Sequence, residues 1–345
     1  MIAPNPAWTK LFHGRGSDIP TVDYYFLGAM RDLVGTPDDG NAARPIVRRG
    51  PFTFTTRDRL VIVRYITAEE LRWIDKHRSE QVFYVLDDML PMAEHCSELP
   101  ADYRARLASF ARELLPRILD LQPTVVAPSQ AILDLFAHQS TELLDPCCLT
   151  IADNFQHFGL AGPDRGPTRL AFLGTRSHGA GIDFLAPVLE RLVGGRDDIR
   201  CTLFWGKHAP PSLAHRPGID NRAPLTWSAF KGFLARERFH IVLAPLPDTP
   251  FNRGRSITKL LDAAAVGAAG VFSDRLPFNR SITRELDGLL LPDDAGVWCS
   301  EIGRLVADLD HTRKLAERGA ACARRLGEPA RLRRFWSERL GLAAP

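Results

Sequence analysis

The sequence lacks any apolar run that approaches the ~20 residues needed to span a bilayer as a helix. Its first residues also lack the basic segment followed by an apolar segment that is typical of a secretory signal. From these two absences we expect a cytoplasmic protein.

A strong net charge and paired cysteines are lacking as well. The 44 lysines and arginines nearly balance the 41 aspartates and glutamates, and the net charge of +3 by itself neither favours nor excludes a nucleic-acid surface. The six cysteines show no Cys-x-x-Cys spacing, and the adjacent pair Cys147-Cys148 suits neither a zinc ligand set nor a disulfide framework. We expect reduced, mostly buried thiols, no metal site and no nucleic-acid partner.

What the chain does have is an ordinary globular composition, with 45% hydrophobic and 25% charged residues in a length of 345. These values exclude the disordered and fibrous classes, and the length suits two α/β domains of similar size. We find no internal repeat and no low-complexity tract.

Short apolar runs alternate with helical patterns in both halves, which predicts parallel, doubly wound sheets. In the first half we predict strands at 59–66, 82–86, 124–127 and 149–152, and helices at 68–78, 101–121 with a kink at Pro116, and 129–138. In the second half we predict strands at 170–173, 200–204, 241–244, 270–272 and 289–291, and helices at 183–193, 227–236, 298–309, 312–326 and 329–340. Residues 19–35 are compatible with a capped helix and residues 36–41 with a turn-rich loop, and the role of residues 1–50 stays open.

Glycines and prolines cluster between residues 153 and 167, a composition typical of a connection between domains. We therefore predict a first domain over residues 1–155, a hinge over 156–167 and a second domain over 168–345 that includes the C-terminal helices.

The stretch from 239 to 274 carries most of the functional information. Residues 240–244 form a short, β-branched run that is typical of a strand buried on both faces. Pro245, Pro247 and Pro250 then require an irregular loop. Ser256 is a good N-cap for a following helix, whose apolar stripe ends at Gly267.

Three polar residues of this helix, Arg255, Lys259 and Asp262, are spaced four and three apart and should share one side of its first two turns. A helix start already favours an anion and two cations add to it, so the pattern indicates a phosphate site, with Asp262 placed to accept from a sugar hydroxyl. The alternative is a solvated helix face whose charges pair with one another. The position after a parallel strand favours the ligand site, because α/β sheets bind ligands at that edge.

The run from Ile241 to Asp274, followed by Gly288-Leu289-Leu290-Leu291-Pro292, resembles the donor-binding half of GT-B glycosyltransferases. The similarity is to the large retaining family of bacterial sugar transferases of the group 1 type. Its members read as a strand, Ala-Pro-Leu, a loop with Phe-Asn, a Lys/Arg-Ser pair, a helix containing Lys, and a strand that ends in Ser-Asp. The chain departs from the family at a glutamate pair separated by seven residues, where it has Gly254 and Asp262.

The resemblance implies two Rossmann-like domains that face a central cleft, and a nucleotide-sugar donor that is UDP- or GDP-linked and needs no separate cofactor. By this resemblance the catalytic candidates are His178, Arg255 and Lys259. The donor-binding candidates are Gly174, Thr175, Asn252, Ser256 and Asp262, the last as acceptor of ribose hydrogen bonds. In the family the departing phosphate is thought to guide the acceptor to the same face, so a pair of catalytic carboxylates is not expected.

The glycine-containing loop 174–183 reads G-x-x-x-x-G-x-G, whereas a dinucleotide fingerprint requires G-x-G-x-x-G, so nicotinamide chemistry is a weak fit. The resemblance instead identifies this loop as the one that opens the donor domain and places His178 near the donor phosphates or the transferred sugar. The alternative for His178 is a loop histidine that ties the backbone together.

Asp87 and Asp88 follow the predicted strand 82–86. Two adjacent carboxylates can hold a divalent ion or act as a base, but adjacent strand residues point to opposite faces. The resemblance places an acidic run at the cleft in the first domain, so both are acceptor-side candidates, with helix capping as the alternative.

The carboxyl end is basic and contains Phe335 and Trp336 among its arginines. A basic helix with aromatic residues can lie on an anionic membrane surface, where lipid-linked acceptors reside. The alternative is a helix that packs Trp336 into a domain interface and exposes its arginines.

Pattern and resemblance together predict an enzyme, a hexosyl-type glycosyltransferase that acts with retention on a glycan or lipid-linked acceptor. The setting would be bacterial surface polysaccharide or glycoconjugate synthesis, in the cytoplasm or in peripheral contact with the inner membrane. Two alternatives stay open: a nucleotide-sugar epimerase, which shares the fold, and a non-catalytic module that binds nucleotide sugars or glycans.

Overall fold

A computed structural model describes residues 19–37, 43–162 and 165–342. Within these residues the strands form a seven-stranded sheet in the first half of the chain and a six-stranded sheet in the second. The prediction for residues 36–41 falls largely outside the described residues, as does Pro163 of the predicted hinge.

The first sheet mixes parallel and antiparallel strands. Its strands are β1 (Val34–Gly35), β2 (Ile46–Arg48), β3 (Thr53–Thr55), β4 (Arg59–Val63), β5 (Gln81–Val85), β6 (Thr124–Ala127) and β7 (Thr141–Leu143). The strands from β4 to β7 are parallel, as the sequence predicts, whereas β3 runs antiparallel to both β2 and β4. The predicted strand at 149–152 is wrong: the amide of Ala152 donates to the carbonyl of Ala264 at 2.9 Å, so this segment crosses to the second half of the chain.

The order of strands in the first sheet follows the chain from β1 to β7 without a reversal. Right-handed crossovers between neighbouring parallel strands then place the connecting helices on one face, so another part of the chain must cover the other. The connecting helices are Ala68–Lys76, Ala101–Glu113, Leu115–Leu119 and Gln130–Leu133, with 3₁₀ turns at Leu90–His95 and Asp134–Phe136. Helix 101–113 ends before Pro116 and a new helix begins at Leu115, so the kink predicted at Pro116 is a break between two helices.

The ends of the chain cover the other face of this sheet. Residues 20–33 form an N-terminal helical segment, made of Pro20–Val22, a π-helical turn at Asp23–Leu27, Gly28–Met30 and a 3₁₀ turn at Arg31–Leu33. The last helix, Pro329–Arg339, packs against it: Trp336 is fully buried, donates to the carbonyl of Tyr25 at 2.6 Å and contacts Phe26 and Phe83 edge-on. The last helix was assigned to the second domain from the sequence, but its aromatic residue packs in the core of the first sheet.

The second sheet is entirely parallel and reverses its direction of winding. Its strands are β8 (Thr168–Phe172), β9 (Ile199–Leu203), β10 (Ile219–Asn221), β11 (Ile241–Ala244), β12 (Ala269–Ser273) and β13 (Leu289–Leu291), in the order β10-β9-β8-β11-β12-β13. This is the doubly wound order, and the chain switches direction between β8 and β11.

The helices of the second half flank this sheet. They are Gly179–Val193, Pro211–Ala214, Trp227–Arg236, Thr258–Ala265 (the central helix), Phe278–Ser281, Ala295–Ala307 and Leu309–Leu326, with 3₁₀ turns at Gln156–Leu160, Arg176–His178, Gly206–His208 and Asn252–Gly254. The helix predicted from residue 183 begins one turn earlier, at Gly179. Asp294 and Asp308 cap the two long helices by accepting from the amides of Val297 and His311 at 2.8 and 2.9 Å.

Two further expectations concern cysteines and membrane segments. All six cysteines are free thiols and five of them are buried, as the sequence predicts. Within residues 19–37, 43–162 and 165–342, no helix combines the length and apolar character needed to cross a membrane, and no group of three or more His, Cys, Asp or Glu side chains is arranged to hold a metal ion.

Candidate functional site

The carboxyl ends of β8 and β11 are neighbours at the point where the second sheet reverses its winding, and we call the space between the loops that follow these strands the crevice. This is the place at which open α/β sheets bind ligands. The loop after β8, residues 173–178, and the loop after β11, residues 245–257, line the two sides.

The central helix begins later than the sequence predicts. Its first residue is Thr258 and its N-cap is Ile257, which has no side-chain acceptor, so the prediction of Ser256 as N-cap is wrong. Ser256 is buried one residue before the cap, and its hydroxyl lies 3.5 Å from that of Thr258. The buried side chain of Ile257 fixes the start of the helix by packing rather than by capping.

Lys259 joins the two sides of the crevice. Its Nζ donates to the carbonyl of Leu173 at the end of β8, at 2.7 Å, and to Oδ2 of Asp262 on its own helix, at 2.8 Å. The other carboxylate oxygen of Asp262 accepts from the hydroxyl of Tyr24 at 2.8 Å. The carboxylate is buried and bound at both oxygens, whereas the resemblance predicts that it binds ribose.

Arg255 reaches across the crevice into the first domain. Its Nη1 donates to Oδ1 of Asp88 at 2.8 Å, and its Nη2 donates to the carbonyl of Ser177 at 2.9 Å. The guanidinium also lies over the ring of Phe251, 4.9 Å from the ring centroid. Arg255 and Lys259 therefore both anchor the loop after β8 while they remain on the surface of the crevice.

Arg64 completes a charged cluster on the first-domain side. It lies one residue beyond β4, which pairs in parallel with β5, so its guanidinium meets Asp87 and Asp88 beyond the end of β5. Its Nη1 donates to Asp87 at 2.6 Å, and its Nη2 donates to Asp88. Burial raises the pKa of Asp87 despite the opposing charge of Arg64. Arg64 has a positive φ of 63°, a backbone conformation that non-glycine residues adopt rarely and often at functional sites.

His178 lies at the end of the loop after β8 and immediately precedes the helix that begins at Gly179. Burial holds the pKa of its imidazole well below the ordinary value, and the positive charges of Arg255 and Lys259 act in the same direction. A neutral imidazole at pH 7 can accept or donate a hydrogen bond but carries no charge toward a phosphate.

The remaining residues predicted to bind the donor lie in the loops after β8 and β11. Gly174 is buried against Phe172, and a Cβ there would lie 2.5 Å from Cζ of that ring, so any other residue would require the ring to move. Thr175 is exposed. Asn252 is buried, and its amide donates to the carbonyl of Pro247 at 2.9 Å, which closes the loop after β11 on itself.

Further contacts hold the two domains together around the crevice. The amide of Phe251 donates to the carboxylate of Glu98 at 3.0 Å, and Arg176 forms an exposed ion pair with Asp102 at 2.8 Å. Gly254 packs so closely on the first domain that a Cβ there would lie 2.5 Å from Cγ of Met89.

Sequence reasoning missed Arg64, Tyr24 and Glu98. Arg64 had a usable signal, because it follows a predicted strand that neighbours the strand ending in Asp87 and Asp88. No sequence signal identified Tyr24, because its hydrogen bond to Asp262 joins residues that are 238 positions apart in the chain.

No protein-family model matches the chain, and no curated protein is significantly similar to it in sequence. Among solved structures, sucrose-phosphate synthase from Thermosynechococcus elongatus is similar with a TM-score of 0.54 at 13% identity, over 81% of this chain and 73% of that one. WaaG, a glycosyltransferase involved in lipopolysaccharide biosynthesis, is similar with a TM-score of 0.54 at 12% identity, over 80% of this chain and 84% of that one. HepE from Anabaena, in complex with UDP and glucose, is similar with a TM-score of 0.52 at 15% identity, over 81% of this chain and 77% of that one.

These similarities establish the fold and nothing finer, because all the identities are low. They confirm the α/β architecture of two Rossmann-like domains that was predicted from the resemblance. The doubly wound order predicted for both halves is observed in the second sheet only, because the first sheet follows the order of the chain and contains the antiparallel β3.

Proposed function

Because the chain has the GT-B glycosyltransferase fold, we propose that it is an enzyme that transfers a sugar from a nucleotide-sugar donor to an acceptor. One observation carries the proposal: Arg255 and Lys259 converge on the loop after β8 at the switch point of the second sheet. That is where a phosphorylated ligand binds in a doubly wound domain.

In this proposal the two cations hold the donor diphosphate. An ammonium has three N–H donors, and Lys259 uses two of them on Leu173 and Asp262, so one is left for a phosphate oxygen. Each Nη of Arg255 makes one hydrogen bond within the chain and carries a second N–H. As the bond to the sugar breaks, negative charge grows on the leaving diphosphate, and fixed cations lower the barrier by stabilising it.

The finer donor assignments stay part of the proposal. Gly174, Thr175, Asn252 and Ser256 line the donor side, and a UDP-linked donor is favoured because HepE, similar in fold, binds UDP and glucose. We include no metal and no cofactor in the reaction, since the two cations supply the positive charge that a diphosphate needs.

We propose Asp87 and Asp88 as acceptor-side residues, because Asp88 contacts Arg255 across the crevice and Asp87 binds Arg64 beside it. We propose that the reaction proceeds with retention, with the departing phosphate guiding the acceptor hydroxyl, and that neutral His178 hydrogen-bonds near the transferred sugar. The proposed acceptor is a bacterial glycan or a lipid-linked intermediate in surface polysaccharide synthesis, used in the cytoplasm. The predicted membrane contact relied on Phe335 and Trp336, but Trp336 is buried and Phe335 is half-buried against the same core, so the helix offers neither ring as an exposed anchor.

The first test is a thermal-shift screen against UDP, GDP, CMP and their sugar conjugates. We expect one nucleoside diphosphate to raise the Tm saturably, and Arg255→Ala or Lys259→Ala to abolish the effect. Arg196→Ala is the control, because this exposed arginine pairs with Asp198 just before β9, at the edge of the second sheet opposite to the crevice. Stabilisation by none of the compounds, or an equal loss in the control, would refute the donor site.

A non-catalytic binding module is the second candidate, and Gly254 favours it. The family has a glutamate at this position, whereas here a Cβ would already collide with Met89. Incubation with radiolabelled donor separates the two: an enzyme releases nucleoside diphosphate, faster with acceptor, whereas a binding module returns the donor intact.

A further inference from the structure

The N-terminal helical segment is anchored to the second domain. The buried carboxylate of Asp23 accepts from Nε1 of Trp227 at 2.7 Å and also binds Lys231 on the same helix of the second domain. The ring of Tyr24 packs against that of Trp227 with 5.4 Å between centroids. The π-helical turn at residues 23–27 is a rare geometry that occurs often at functional sites.

This anchoring directs Tyr24 toward the crevice. Its hydroxyl donates to Oδ1 of Asp262 at 2.8 Å, and the residue is buried. Burial, followed by the charge of Asp262, raises the pKa of Tyr24 well above its ordinary value, so the phenol keeps the proton that it donates.

The second oxygen of Asp262 binds Lys259 at 2.8 Å. Tyr24, Asp262 and Lys259 therefore form a chain of hydrogen bonds that ends in the ammonium group and its remaining N–H. Asp262 is 3% exposed, and aspartate is one methylene shorter than the glutamate that the family has at this position. Its carboxylate thus lies within the protein, whereas the side chain of Lys259 is 18% exposed.

We propose that Asp262 does not bind the ribose of the donor but, together with Tyr24, is a positioning residue for Lys259. The inference rests on the proposed function, because it assigns Lys259 to the donor diphosphate. It departs from the role that the resemblance gives to Asp262, since that role requires a carboxylate open to the ligand.

The test separates ribose recognition from diphosphate recognition. Binding of inorganic pyrophosphate, UDP, GDP and their 2′-deoxy counterparts is measured by calorimetry for the wild type, Asp262→Asn and Tyr24→Phe. We expect Asp262→Asn to weaken every probe that binds by the same factor, about tenfold for a lost charged hydrogen bond, and to leave the ribose-to-deoxyribose ratio unchanged. Loss confined to the ribonucleotides, with the ratio falling to one, would overturn the inference.

Tyr24→Phe should weaken the same probes by a smaller factor, and the double variant should bind no more weakly than Asp262→Asn alone, because both act through Lys259. Thr53→Val is the control, since this hydroxyl on β3 is buried and has no hydrogen-bond partner within the described part of the chain. Additive effects of Tyr24→Phe and Asp262→Asn would contradict the shared path.

A second readout needs no nucleotide. Removing the carboxylate takes away the ion-pair partner of the Lys259 ammonium on its own helix, so acetic anhydride should label Lys259 several-fold faster in Asp262→Asn than in the wild type, with exposed Lys207 as internal reference. An unchanged rate would refute the positioning role even if nucleotides bind. If labelling changes but the wild type binds no probe, the proposed function fails while the hydrogen-bonded chain stands.

Discussion

Arg255 and Asp88 form a largely buried ion pair across the crevice, with 2.8 Å between Nη1 and Oδ1 and side chains that are 15% and 4% exposed. The same carboxylate also binds Arg64, so one anion serves a cation from each domain. Asp88 therefore occupies one of the anion positions around Arg255, and a donor diphosphate that reaches this guanidinium competes with it.

Asp88→Asn should destabilise the protein and strengthen its binding of anions. Removing the charge leaves two guanidinium groups close together with less compensation, and breaking a buried ion pair typically costs about 3 kcal/mol or more. We expect the free energy of unfolding in urea to fall by about that amount in phosphate-free buffer. Pyrophosphate should restore more stability to Asp88→Asn than to the wild type, because the anion replaces the lost carboxylate.

Asp102→Asn provides the control for this experiment. Asp102 also pairs with an arginine across the domains, Arg176, but both side chains are largely exposed. Exposed pairs contribute about 0–1 kcal/mol, so this variant should unfold almost like the wild type. Equal losses of unfolding free energy in Asp88→Asn and Asp102→Asn would show that burial does not increase the contribution of the Arg255–Asp88 pair to stability.

Gly254→Ala should destabilise the contact between the domains. The new Cβ would lie 2.5 Å from Cγ of Met89 and 3.1 Å from Ile132, and such overpacking costs about 1–3 kcal/mol in urea unfolding. Met89→Ala should remove the collision, so the double variant should lose less stability than the sum of the two single variants.

Gly303→Ala is the matched control, since nothing lies within 4 Å of a Cβ at that helical position. It should be neutral or stabilising by up to about 1 kcal/mol, because alanine favours a helix over glycine. Destabilisation of both glycine variants to the same degree would mean that steric contact with Met89 is not the cause.

The second domain was largely predictable because its signals are local. The apolar run 241–244, the prolines after it and the glycine at 267 mark a strand, a loop and a helix end without reference to the rest of the chain, and all three are observed. Parallel strands gather their carboxyl ends at one edge, so the positions of Arg255 and Lys259 near the 174 loop followed from the fold class.

What the sequence did not predict depends on contacts between distant residues. No local pattern indicates that Tyr24 binds Asp262 or that Trp336 packs against Phe83 in the other domain. The start of the central helix was misplaced because Ser256 satisfies the local preference for an N-cap, whereas packing of Ile257 decides the boundary. The short antiparallel strands β2 and β3 are three residues each, too short for a periodic pattern.

His178 should remain neutral well below pH 6.5 in the free protein. Burial disfavours its charged form, and Arg255 and then Lys259 add repulsion, so the pKa is depressed. Histidine NMR signals followed through a pH titration should show no protonation of His178 at pH 6, and Arg255→Ala should raise its pKa. A titration near pH 6.5 that is insensitive to this substitution would contradict the geometry of the cluster.

The buried histidine His240, at the start of β11, should make the fold sensitive to mild acid. Its Nδ1 accepts from the amide of Arg169 at 2.8 Å, which leaves Nε2 as the N–H that donates to the carbonyl of His157 at 3.1 Å. Both bonds use the neutral ring, and burial lowers the pKa of His240 to about 4. In the unfolded chain the pKa is about 6.5.

Because the folded-state pKa is depressed, the contribution of His240 to stability is fully present above pH 6.5 and is lost as the pH falls from 6.5 toward 4. Over this interval the unfolded chain binds a proton at His240 that the folded protein does not bind, which lowers the free energy of unfolding by about 3 kcal/mol. Urea unfolding at pH 7.5, 5.5 and 4.5 measures the loss. His240→Asn should be less stable than the wild type at pH 7.5 but should lose less stability on acidification. Part of the acid sensitivity should remain, because burial also lowers the pKa of His157. Identical pH dependence in the wild type and His240→Asn would place the acid sensitivity elsewhere in the chain.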